Sequence, residues 1–171
     1  MFKVTNECPF KRSVRVAVNT DNCQAKRIYH DLINSDACEV CREVKNILDR
    51  IQLISNLDAE QIFDIRVILC ELLQNAIEHG NECDLAKKIY VDVWFQENND
   101  LLGITVKDQG CGFNTLKAMN FSFTSASGFD PANINESGRG LFIVQNLCDF
   151  MEFNTMGNAI TVKKKLNSIK K

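Results

Sequence analysis

Three short stretches hold residues whose types and spacing could do chemistry. The first is "ELLQNAIEHGN", Glu71 to Asn81, in which Glu71, Asn75 and Glu78 recur at i, i+4 and i+7 and share one stripe of a helix. A carboxylate and a carboxamide one turn apart can work together on a divalent cation and an oxygen nucleophile. The amide oxygen of Asn75 suits Mg²⁺, which completes its shell with water and substrate phosphates, and the carboxylate of Glu71 can take a proton from water or a hydroxyl. Taken alone, the same stripe is also the ordinary wet side of a helix. The second stretch is "VKDQGCGFN". Asp108 ends a strand there, where it could accept a hydrogen bond from an exocyclic amine, and Gly110 and Gly112 would let backbone approach a ligand. Plain turn chemistry explains that pattern equally well. The third is "ESGRGLFIVQNL". Gly138 and Gly140 precede an apolar helix whose free N–H groups favour an anion, and Arg139 between them could reach a terminal phosphate. A lone G-x-G before a helix is a weak signal; the three stretches in this order supply metal, base and phosphate positions of one nucleotide site.

The elements that must position these residues are legible from periodicity. "SVRVAV", Ser13 to Val18, alternates as a strand, and a poorly patterned segment follows to about Asp36. Val40, Val44, Ile47, Leu48, Ile51 and Ile54 then recur at helical spacing behind a start signal at Asp36 and Glu39. A second helix is predicted from Asp58, with Gln61 as its capping partner, to His79, stopping at Gly80. Its core side is Ile62, Ile65, Leu69, Leu72, Leu73 and Ala76. The period changes to two in "KIYVDVWFQ" and "LLGITVK", a hairpin with Ile89, Val91, Val93 and Phe95 facing Leu102, Ile104 and Val106. Residues 109 to 139 read as a long loop with one short helix near Leu116. "GLFIVQNLCDF" is the third helix and "MEFNTMGNAITVKKKL" a closing hairpin. This order predicts an α+β two-layer sandwich, with helices on one face of a mostly antiparallel mixed sheet.

Taken together the stretches resemble the GHKL (Bergerat-fold) ATPases, which share a histidine-kinase-like ATPase domain, and within them the bacterial anti-sigma-factor serine kinases. "ELLQNAIEHGN" is similar to the family's E-x-x-x-N-A-x-x-H-G box, "DQGCGF" to its D-x-G-x-G-F box, and "ESGRGLFIVQNLCDFMEF" to its G-x-G box with the following helix; "GNAITVKKKL" resembles the closing strand. The resemblance covers roughly residues 45 to 166 of a single ATP-binding domain spanning 1–171, preceded by a divergent segment, 1–44. It implies an ATP site with Glu71 as general base, Asn75 holding Mg²⁺ and Asp108 taking the adenine amino group. Gly110 and Gly112 would shape the adenine pocket, Gly138, Arg139 and Gly140 would embrace the phosphates, and Thr161 of the closing strand would contact the nucleotide. The segment 114–137 would be the ATP lid. His79 matches the motif but is read as a helix-end residue beside Gly80.

The implied function is that of a serine-protein kinase acting as an anti-sigma factor, with a sigma factor and a small anti-anti-sigma (STAS) protein as partners and a homodimer as the assembly. The alternative is a nucleotide-responsive binding module of the same fold that transfers no phosphate. Sensor histidine kinases need an acceptor His on a helical hairpin. His30 in "RIYHDL" stands too close to Glu71 for that and is read as a surface or locally bonded residue.

Composition excludes other classes. Among 171 residues, 20 basic and 22 acidic side chains give a formal net charge of −2, without the footprint of a nucleic-acid or membrane binder. No apolar run approaches a membrane span and no signal segment opens the chain, so a cytoplasmic protein is expected. Eight cysteines, at positions 8, 23, 38, 41, 70, 83, 111 and 148, then read as reduced thiols. Cys38 and Cys41 form a C-x-x-C at the start of a helix, half of a structural zinc site at most.

Overall fold

The computed structural model describes residues 25–96, 100–112 and 136–166, the side chains of 136–138 excepted. The expected strand at Ser13–Val18, the short helix near Leu116 and nearly all of the expected lid lie outside the described residues. Along the chain run strand β1 (Lys26–Asn34), helices α1 (Ala37–Ile54) and α2 (Ala59–Asn75), a π-helical turn (Ala76–Gly80), strands β2 (Lys88–Phe95) and β3 (Leu101–Lys107), helix α3 (Glu136–Leu147), and strands β4 (Phe150–Phe153) and β5 (Ala159–Lys165).

Both long helices start where a carboxylate can satisfy free N–H groups. Asp36 accepts from Glu39 N at 3.0 Å and Asp58 from Gln61 N at 2.7 Å, the N-cap geometry in each case. α1 buries Val40, Val44, Ile47, Leu48 and Ile51. α2 buries Ile65, Ile68, Leu69, Leu72 and Leu73. At about 1.5–3 kcal/mol for each fully buried aliphatic side chain, this face anchors α2 strongly enough to carry polar groups on its other side.

Among the described residues the sheet has five strands, in the order β1-β2-β3-β5-β4. All four pairings are antiparallel. The parallel pairing allowed by a mixed sheet is therefore not found among the described residues. Ile89, Val91, Val93 and Phe95 of β2, Leu102, Ile104 and Val106 of β3, and Ile160 and Val162 of β5 form the sheet side of one core with the helices. The predicted α+β two-layer sandwich is this architecture.

β1 corrects the expectation of an unpatterned segment before Asp36. It pairs with β2 along its length, with a register shift between Arg27 and Tyr29. Only Tyr29 and Ile33 are fully buried on this strand, and exposed Asp31 stands between them at the alternating position. A charge in the middle of the apolar face and a bulge near its start erase the period of two. His30, on the other face, lies 3.1 Å from the Tyr90 hydroxyl and 3.5 Å from Asp92 Oδ1, a locally bonded residue as expected. Cys38 and Cys41 are exposed free thiols on α1. Among the described residues no three His, Cys, Asp or Glu side chains gather as a metal centre.

Candidate functional site

α2 reaches the site with a change of helical pitch. Beyond Asn75 the chain widens into the π-turn, closed by Asn81 N–H donating to Ala76 O at 2.8 Å. Single π-turns of this kind mark functional positions in many helices. The wider turn separates the residues of the predicted stripe. Glu71 and Asn75 stay together and half-buried, whereas Glu78 is exposed and bonded to Gln74.

Gly140 completes the first cluster. A Cβ placed on it would run into Glu71 Oε2 and lie 3.5 Å from Asn75 Nδ2, so the start of α3 comes directly against the carboxylate and the carboxamide. Asn75 Nδ2 is buried with no hydrogen-bond partner among the described residues. An unpaired buried amide costs about 1–3 kcal/mol, a cost that α2 bears from its apolar side and that fits a ligand position better than a structural one. Arg139 is exposed beside Gly140; α3 starts at Glu136, so Gly138 and Gly140 lie within the helix, Gly138 in its first turn, and do not precede it as expected.

The second cluster forms around Asp108, one residue past the end of β3. Its Oδ1 accepts from Gly110 N at 2.8 Å and its own N–H donates to Asn158 O at 3.0 Å. Burial raises its carboxyl above the usual aspartate range, and the Gly110 hydrogen bond opposes that shift. Gly80, at the end of the π-turn, is packed on the carboxylate so closely that any side chain there would overlap it. Asn81 locks the junction. Fully buried, it donates from Nδ2 to Lys88 O at 3.1 Å and accepts from Gln109 N at 2.9 Å.

One cavity of about 300 Å³ joins the two clusters. Asn75, His79, Asp108, Gly112 and Asn158 line it among apolar walls that include Leu72, Val106, Leu141, Phe153 and Ile160. Flat apolar walls with a few convergent polar groups suit a heteroaromatic ligand. Gly112, at φ +74°, turns the loop back toward the β4–β5 connection. Gly110 lies behind Asp108, lining a second recess of about 480 Å³ with Lys88, Lys107 and Asn158.

The structure thus brings Glu71, Asn75, Gly140, Asp108 and Gly112 to one place. It does not bring Thr161 there. The Thr161 hydroxyl pairs with that of Thr105 at 2.8 Å, and its neighbours Ile160 and Val162 take the core-facing positions, so by alternation Thr161 faces the other side of the sheet. Three lining or supporting residues went unrecognised in the sequence. His79, read as a helix-end residue, lines the cavity. Asn81 follows Gly80 directly and looks like turn chemistry. Asn158 sits in a "GNA" turn whose only signal is a polar residue at the start of an alternating strand.

Comparison with known proteins agrees with this geometry. A family model described as a histidine kinase-like ATPase domain matches residues 35–164. An anti-sigma F factor of Clostridium perfringens (strain SM101 / Type A) is 32% identical over 113 residues, covering 64% of this chain and 76% of the relative. The anti-sigma F factor of Bacillus subtilis (strain 168) is 28% identical over 115 residues, covering 65% of this chain and 74% of the relative. With the family match running from the junction before α1 to the end of β5, the chain belongs to the histidine kinase-like ATPase domain family.

Proposed function

We propose that the cavity binds ATP and that the protein is an anti-sigma kinase which transfers the γ-phosphoryl group to a serine of an anti-anti-sigma (STAS) protein. The observation that carries the reading is a cavity lined by both Asn75 and Asp108, with Glu71 and Gly140 packed against each other beside Asn75. The relatives' name, anti-sigma F factor, supports the regulatory role.

In this reading the whole chain acts as a single ATP-binding domain and its residues divide the work. Asp108 accepts the exocyclic amine of adenine, the apolar walls with Gly112 beside them hold the ring, and Gly110 braces Asp108 from behind. The free N–H groups of the first turn of α3, which includes Gly138, and the guanidinium of exposed Arg139 receive the phosphates, while Gly140 further along lets the helix approach Glu71. Glu71 orients the incoming hydroxyl and takes its proton. Asn75 fits a Mg²⁺ site: one neutral oxygen donor beside the Glu71 carboxylate is what an ion that keeps water and phosphate in its shell accepts. Bound there, Mg²⁺ would neutralise charge between the phosphates. No helix among the described residues is long and apolar enough to cross a membrane, and we place the protein in the cytoplasm as a homodimer that engages a sigma factor.

The test joins binding to transfer. Mg·ATP, Mg·ADP and Mg·GTP are titrated calorimetrically into the protein, and γ-labelled ATP is then incubated with it and a purified STAS protein. Adenine-selective binding with acid-stable label on the STAS protein is the expected result. Binding without transfer to any STAS protein would leave a nucleotide-responsive binding module, and no binding would remove the ATP reading altogether.

A further inference from the structure

The connection between β4 and β5 carries a polar arrangement with no part in the assignments above. Asn154 Oδ1 accepts from two backbone N–H groups, those of Asn158 at 3.1 Å and Ala159 at 3.2 Å. Two donors fix that atom as the oxygen, so the other end of the Asn154 carboxamide is the amine. This amine lies 2.7 Å from the carboxamide of Asn158 and makes the facing atom Asn158 Oδ1. Asn158 Nδ2 is thereby left pointing away from Asn154, and no acceptor for it occurs among the described residues although Asn158 is only 7% exposed. The residue lines the 300 Å³ cavity.

Its neighbour there is Asp108. The two are joined by the 3.0 Å bond from Asp108 N to Asn158 O, and Asp108 Oδ1 is already engaged by Gly110 N. Both residues line the cavity, so its wall holds an acceptor, Asp108 Oδ2, and a donor, Asn158 Nδ2. Adenine presents the complement, an amine donor flanked by ring nitrogens that accept. Guanine presents a carbonyl beside N1–H, which would set acceptor against acceptor and donor against donor.

We propose that Asn158 is a specificity-determining residue, donating from Nδ2 to the adenine ring nitrogen beside the amine that Asp108 holds. The inference rests on the ATP reading and sharpens it: discrimination against guanine comes from a carboxylate–carboxamide pair, with the carboxamide aimed by Asn154.

The experiment is a titration matrix. ATP, 1-deaza-ATP, 7-deaza-ATP and GTP are bound to the wild type, to Asn158→Ala and to Asn158→Asp. Replacing the paired ring nitrogen by C–H should weaken binding to the wild type about tenfold, and Asn158→Ala should abolish that difference. Asn158→Asp keeps the oxygen that Asn154 bonds, so the turn stays closed, but sets an acceptor where the donor stood. It should lose more than tenfold for ATP and less for the sensitive deaza analogue. Circular dichroism and the melting temperature check that each variant is folded. Equal binding of ATP and both deaza analogues by the wild type would overturn the assignment, as would a deaza penalty that survives in both variants. A wild type that binds no adenine nucleotide would remove the ATP reading and this inference with it.

Discussion

Asp108 shows what burying a carboxylate in a cavity wall does to stability. Its carboxyl is raised because burial disfavours the charge. A raised folded pKa means the folded protein holds the proton more tightly than the unfolded chain. The contribution of this group to stability is therefore fully present below the ordinary aspartate pKa and is lost as pH rises through the folded value. Asp108→Asn removes that loss, so the nucleotide-free variant should melt at neutral pH no lower than the wild type. It should also bind ATP roughly 10- to 100-fold more weakly, since a charge-assisted hydrogen bond is worth about 1.5–3 kcal/mol. In the wild type, ATP affinity should fall on acidification at a higher pH than an unperturbed carboxylate would give. Calorimetry across pH checks both. At Glu71 the expectation is the reverse split: Glu71→Ala should leave the ATP dissociation constant within a few-fold while phosphotransfer stops. The i, i+4 relation of Glu71 and Asn75 was legible because helical spacing alone makes them neighbours. Asn158 was not, because its partner Asp108 is reached only through pairing of β3 with β5, which no local pattern encodes.

Elements explain which parts of the site a sequence can announce. α1 and α2 declare themselves through apolar period and caps, and both caps are found in place. The π-turn does not declare itself: nothing in "NAIEHG" distinguishes it from a plain continuation of α2, yet it is what lets Glu78 swing away while His79 lines the cavity. β1 was missed for the physical reason that Asp31 interrupts its inward face. Asn81 is the hinge pin of these elements, holding the end of the π-turn to the start of β2 and to the loop after Asp108. Asn81→Ala would strand the Lys88 carbonyl and the Gln109 N–H, and should lower unfolding free energy by about 2–4 kcal/mol in urea with an unchanged m-value. It should also weaken ATP binding by loosening Asp108, an effect that a distant substitution of equal stability cost would lack.

A suitable distant substitution is visible at the scale of the molecule. Lys164 on β5 donates to Asp64 of α2 at 2.9 Å and to the carbonyl of Leu147 at the end of α3, also at 2.9 Å, tying sheet and both helices together on the strand that carries Ile160 into the cavity. The pair is largely buried, with side-chain exposures of 13% and 19%. Lys164→Ala leaves Asp64 without its cation and should cost about 1–3 kcal/mol of stability, while the ATP dissociation constant stays within about twofold. Saturating nucleotide should stabilise both proteins equally, by about 2.7 kcal/mol at a hundred times the dissociation constant. Topology at this scale was readable in outline, since two hairpins and three helices leave few arrangements. What no pattern announced was the pairing of β1 with β2 and, among the described residues, the wholly antiparallel sheet, both set by long-range register.

The bare backbone at Gly80 and Gly140 has a pharmacological consequence. Enzymes commonly escape an inhibitor by growing a side chain into the space it occupies. Here such growth at either position would strike the molecule's own Asp108 or Glu71 first. A compound designed to press on the main chain at Gly80 would meet a wall that cannot thicken without displacing the whole Asp108 side chain, whereas at Gly140 only the end of Glu71 would have to move.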